Sequence, residues 1–171
     1  MNKIITAEGL KDWIDLGKKI DDDKINPIIL QAQDVDLRDY MGMKFYFDVI
    51  GNLENENYQA LLSGSTFTYD GVTMYHEGLK SMLASLFMAR YTMQLNINFT
   101  PFGATIKASD NSEPADRNSL KDLAQGHKEQ AGSKWEIIKL YLEANKVLFP
   151  NNTCTSNTIA TGERRLKFRK I

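Results

Sequence analysis

Cysteine, histidine and uninterrupted apolar stretches are what this 171-residue chain has least of. Its single cysteine, Cys154, excludes an intramolecular disulfide framework and any paired-cysteine metal or redox motif, and suits a reducing compartment. His76 and His127 are the only histidines, and neither belongs to a His-Glu-x-x-His or mixed Cys/His pattern. They read as surface or partly packed side chains, so no metal site is expected. The eleven glycines are scattered and build neither a P-loop nor a dinucleotide fingerprint. Asp21, Asp22 and Asp23 are contiguous, whereas a calcium loop alternates its oxygens, so they read as a solvated helix start. Catalysis draws titratable groups together in sequence patterns that are missing here. The expectation is a protein that is not an enzyme, with no catalytic residues and no cofactor.

Long apolar runs are also missing. The most apolar segment, GLKSMLASLFMARYTMQLNI, is interrupted by Lys80, Arg90 and Gln94, which fits a core helix better than a membrane span. The opening MNKIITAEGLKDWIDLG has neither the apolar centre of a signal peptide nor the acid-poor composition of a transit peptide. A soluble protein, made in the cytoplasm and independent of membranes, is expected.

What the chain does have is enough apolar residue, 42%, for one core. Its net charge of −1 exerts no general pull on nucleic acid. That balance conceals an asymmetry: residues 1–60 carry twelve acids against seven bases, and residues 151–171 carry five bases against Glu163 alone. The division expected is a helical domain over 1–150 and a basic tail over 151–171.

Along the first part, Thr6 is placed to cap a short helix in AEGLKDWIDL. Ile25, Ile28, Ile29, Ala32 and Val35 recur at helical spacing, with Pro27 tolerable only in a first turn and Gly42 as the stop. Helices follow in MKFYFDVIG and NENYQALLSG. STFTYDGVTMYHE then changes period, alternating around Asp70-Gly71, a dipeptide suited to a tight hairpin turn, so 65–77 reads as a β-hairpin. A helix over 78–97 precedes an aromatic ribbon at 98–109. A last helix from about Asp116 to about Leu148 shows a stripe of Leu120, Leu123, Ala131, Trp135, Ile138 and Leu142, spanning about 50 Å. The methionines at 74, 82, 88 and 93 read mostly as core filler. The fold class is therefore mainly α: a small helical bundle with a β-hairpin and an extended arm.

Two features invite a partner. In the tail, Arg164, Arg165, Lys167, Arg169 and Lys170 flank Leu166 and Phe168, apolar anchors that a solvated end does not need. A merely unstructured basic end is the competing reading. The hairpin and the ribbon suit edge pairing with a neighbouring chain, against the alternative that they pack on their own helices.

The order INPIILQAQDVDLRDYMG, FYFDVIGN, ENYQALLSGSTFTYDG, GLKSMLASLFMARYTMQ and TPFGATIKASDNSEP resembles the head-tail connector, or adaptor, proteins of tailed bacteriophages, in the version found in Bacteroides and crAss-like phages. The resemblance covers about residues 4–148. Its most specific parts are AQ-x-x-DLRDYMG, Y-x-x-LL-x-G ahead of the hairpin, and TPFG ahead of the last helix. These are fold signatures and contain no chemistry.

The resemblance implies a virion protein of the phage neck, assembled as a ring of commonly twelve copies between portal and tail, around a channel through which genomic DNA passes without sequence-specific binding. Its partners would be itself, the portal protein and further neck or tail rings. It places Tyr69, Asp70, Gly71, Phe99, Pro101, Phe102 and Gly103 at the subunit interface, and the tail from Glu163 to Ile171 on the portal, ordered on assembly. Two alternatives stand beside it. One is a head-closure or tail-completion protein of the same neck; the other is a nucleic-acid-binding module acting through the basic tail.

Overall fold

The computed structural model describes residues 2–15, 22–94, 97–100, 103–106 and 116–152. In chain order these form α1 (Ala7–Leu10), α2 (Asp22–Gln31), a π-helix (Ala32–Leu37), α3 (Arg38–Met41), α4 (Met43–Gly51), α5 (Glu56–Ser63), β1 (Ser65–Tyr69), β2 (Val72–His76), α6 (Gly78–Gln94), β3 (Ile97–Thr100), β4 (Gly103–Ile106) and α7 (Arg117–Ala144). The architecture is mainly helical with a small antiparallel hairpin, as the sequence indicated.

The centre of the core is α6. Leu79, Met82, Leu83, Ala84, Leu86, Phe87 and Ala89 are buried around most of its circumference, the mark of a helix surrounded by others. α7 runs antiparallel to it: Lys134 reaches Ser81 near the start of α6, whereas Lys121 and Lys128 lie beside Arg90 and Gln94 at its end. α2, the π-helix and α5 pack on the remaining sides.

α7 is shorter than the sequence suggested, ending at Ala144 with a turn at 145–148. Its stripe also differs. Ala131, Trp135, Ile138, Tyr141 and Leu142 are buried, but Leu123 is 56% exposed. Before Ala131 only Ala124 is buried, on the side of α7 that shares a surface with Ala89, Arg90 and Met93 of α6. Leu123 stands one position, about 100°, around the helix from Ala124 and points off that side.

The segment from α2 to α3 shows a second departure. Ile25, Ile28, Ile29 and Ala32 face the core as expected, but Val35 is exposed, and Gln33, Leu37 and Met41 are buried. The cause is the π-helix, in which the Arg38 N–H reaches the Gln33 carbonyl five residues back. Extra residue per turn retards the helical phase, moving Val35 outward and Leu37 inward. Gln33 then meets the N-terminal segment: its Oε1 accepts from the Ile4 N–H at 2.8 Å, and its Nε2 donates to the Asn2 carbonyl at 3.1 Å. Ile4, Ile5, Ala7 and Leu10 are thereby held in the core. Pro27 sits inside α2, past the first turn counted from Asp22.

Helix starts follow the expected chemistry. Thr6 Oγ1 accepts from the Gly9 N–H at 3.1 Å, and Asp116 accepts from the Asn118 and Ser119 N–H groups at 2.9 and 3.3 Å.

Candidate assembly surface

β1 and β2 pair in the register Ser65↔His76 through Tyr69↔Val72, closed by Asp70 and Gly71. Both turn residues have positive φ, 49° and 77°, so the turn is of the primed type whose twist matches that of the strands. Strand alternation gives the hairpin two unlike faces. Phe67 and His76 are buried toward α7, whereas Thr66, Thr68, Thr73 and Tyr75 are exposed on the other face.

The inner face is fastened to α7. Phe67 meets the Tyr141 ring edge-on at 5.5 Å, His76 lies against the same ring at 4.2 Å, and the Tyr69 hydroxyl donates to Glu143 Oε2 at 3.1 Å. Beyond Tyr141, Phe149 joins Tyr58 and Phe45, so the end of α7 and the start of the helical layer share one aromatic cluster.

His76 is 1% exposed, deeper than its sequence context suggested. Its Nε2 shares a hydrogen bond of 2.9 Å with Ser65 Oγ, and its Nδ1 has no hydrogen-bond partner among the described residues. Burial pushes its pKa down from 6.5 to about 4, so the ring is neutral near pH 7. The pair ties the two ends of the hairpin together.

A polar pin secures the hairpin's exit. Lys134 Nζ lies 2.9 Å from Glu77 Oε2 and donates to Ser81 Oγ at 2.6 Å, while Ser81 donates to Glu77 at 2.5 Å. The Ser81 hydrogen bond, followed by Lys134, holds the Glu77 carboxyl below its ordinary range.

Beside this pin runs a shallow groove between β2 and α7, lined by Tyr75, Glu77, Gly126, Ser133, Lys134 and Ile137. Tyr75 and Ile137 are 58% and 40% exposed, large apolar surfaces that no element covers among the described residues. The groove could not be read from sequence, because its two walls are more than fifty residues apart and neither carries a motif.

Of the residues singled out from the sequence, Tyr69 is engaged by its own α7, and Asp70 and Gly71 form the exposed tip of the hairpin. The ribbon is itself a two-stranded antiparallel hairpin: Phe99 stands in β3 opposite Ala104, and Gly103 in β4 opposite Thr100. Pro101, Phe102, Cys154 and the tail residues Arg164, Arg165, Leu166, Lys167, Phe168, Arg169 and Lys170 lie outside the described residues. Among the described residues, no three His, Cys, Asp or Glu side chains are grouped to hold a metal ion. No described helix is long and apolar enough to cross a membrane.

Comparison with known proteins gives one match, to the family described as "Family of unknown function (DUF6712)", over residues 37–161. No curated protein and no solved structure matches the chain.

Proposed function

We propose that this chain, which belongs to the DUF6712 family, is a structural protein of the phage virion that forms a ring in the neck, joins the portal to the tail and encloses the DNA channel. The support is the resemblance to head-tail connector proteins over about residues 4–148, together with one structural observation. The helical body carries two separate two-stranded hairpins, and among the described residues no further strand pairs with either edge of either one. A ring subunit touches two identical neighbours through two different surfaces, and free strand edges are surfaces of the kind that chains pair through.

In this reading the commonly twelve-membered ring is templated by the portal, and DNA passes without base-specific contact. The basic tail is the portal-docking arm, trading conformational entropy for contacts only on assembly. Co-sedimentation with the portal protein from the same genome tests it. The full chain should pellet with the portal, and a chain lacking residues 163–171 should stay in the supernatant. Equal binding by both forms contradicts the docking arm, and binding by neither contradicts the neck assignment.

A further inference from the structure

Two incomplete β-surfaces lie on the same chain, and we propose that they complete one another between copies: the β3–β4 hairpin of one subunit adds to the free edge of β2 in the next, over the groove that β2 forms with α7. The inference deepens the ring reading and rests on it for the head-to-tail arrangement.

The accepting edge follows from the register. In a hairpin closed by two residues, the flanking pair exchanges both backbone hydrogen bonds, and every second pair repeats this. Tyr69↔Val72, Phe67↔Met74 and Ser65↔His76 therefore bond within the hairpin, while the N–H and C=O groups of Thr73 and Tyr75 point away from β1. Among the described residues these outward groups have no hydrogen-bond partner. The floor beside that edge suits a strand. Gly126 has open space where a side chain would stand, and Tyr75 and Ile137 offer apolar surface at the rim.

The donor is the second hairpin. Its strands pair with each other, and among the described residues no helix and neither strand of the first hairpin makes an extended contact with them. Its sequence places Ile97 and Phe99 on alternate positions of β3, paired in register with Ile106 and Ala104 of β4. Strand addition takes affinity from main-chain hydrogen bonds and specificity from alternate side chains. β1 cannot supply such a set, because its apolar residue Phe67 is already buried in its own core. Donor and acceptor are different surfaces, so the contact is heterologous and propagates into a ring or a filament, whereas β2 pairing with β2 about a two-fold axis would stop at a dimer.

Disulfide trapping on the full chain tests this. In a Cys154→Ser background, Thr73→Cys combined with Phe99→Cys, and separately with Ala104→Cys, is oxidised over a series of protein concentrations. Trapping accumulates even a sparsely populated pairing. At least one pair should give a ladder of multimers beyond the dimer on non-reducing gels, and Thr68→Cys combined with Phe99→Cys, on the opposite edge, should give none. Adding Tyr75→Pro removes the outward N–H without touching the β1–β2 ladder. It should abolish the multimers while circular dichroism and the melting temperature stay unchanged.

Monomers only, a dimer from Thr73→Cys alone, or an equal ladder from the control pair overturns the proposal. A ring on the portal without the ladder removes this contact and leaves the neck reading. A ladder without portal binding leaves the contact and removes the neck reading.

Discussion

Gly64 and Gly78 meet backbone to backbone at the base of the first hairpin. A Cβ on Gly78 would lie 2.5 Å from the Gly64 nitrogen and the Leu62 carbonyl oxygen, and one on Gly64 would lie 2.6 Å from the His76 carbonyl oxygen. Both residues also hold positive φ, 83° and 94°. The two glycines let α5 and α6 converge closely enough for the hairpin to leave and re-enter the helical body at one point.

Substituting either glycine by alanine should therefore destabilise the protein, by at least about 1–3 kcal/mol from backbone strain alone, with the steric overlap adding to it. Urea denaturation of Gly64→Ala and Gly78→Ala measures this. Gly71→Ala, at the open tip where nothing lies within 4 Å, has the backbone penalty without the overlap and should cost less.

His76 gives the fold a pH dependence of known sign. Its folded pKa, about 4, lies below the ordinary 6.5, so between those values the unfolded chain binds a proton that the folded chain does not. The stability this contributes is complete above pH 6.5 and is lost as pH falls toward 4. Urea midpoints at pH 7.5 and 5.0 should differ more for the wild type than for His76→Phe. Equal differences would show that the imidazole titrates freely in the folded protein.

Gln33 should hold the N-terminal segment through its amide. Gln33→Ala leaves the Ile4 N–H without its acceptor, at a cost of about 1–3 kcal/mol for a buried unsatisfied group. Hydrogen exchange at Ile4 should accelerate well before exchange in α6 does. Unchanged protection at Ile4 would mean that burial of Ile4 and Ile5 alone fixes the segment.

The corrected stripe of α7 makes a paired prediction. Trp135→Ala, which removes a ring packed against Tyr40 at 6.2 Å, should cost about 3–5 kcal/mol. Leu123→Glu, on the exposed side of α7, should change stability by no more than about 0.5 kcal/mol. Thermal melts of the two variants decide between this stripe and the one that periodicity suggests.

These residues show which parts of the fold were legible in sequence. The first hairpin was, because Asp70-Gly71 and the alternation around it are local signals. So were the Thr6 cap, the start of the last helix near Asp116 and the core character of α6. The π-helix was not, since no local signal marks its five-residue hydrogen bonds, and the helical phase of Ala32 to Met41, with Gln33 turned to meet Asn2 and Ile4, follows from it. Leu123 was misplaced because periodicity does not say which edge of an apolar stripe faces the partner: its neighbour Ala124 is the buried one, on the side shared with Ala89 and Met93 of α6. The groove under Tyr75 was invisible because a strand edge and a helix face meet there only after folding. The ribbon was legible at 98–109 as an extended segment, but its doubling back into a hairpin over Ile97–Thr100 and Gly103–Ile106 emerged from the register.

The most direct test of the ring assignment is negative-stain electron microscopy of the purified chain mixed with the portal protein from the same genome. The account predicts a ring stacked coaxially on the portal, one subunit against each portal subunit, that disappears when residues 163–171 are removed. Portals without added density, with the full chain present in excess, would contradict it.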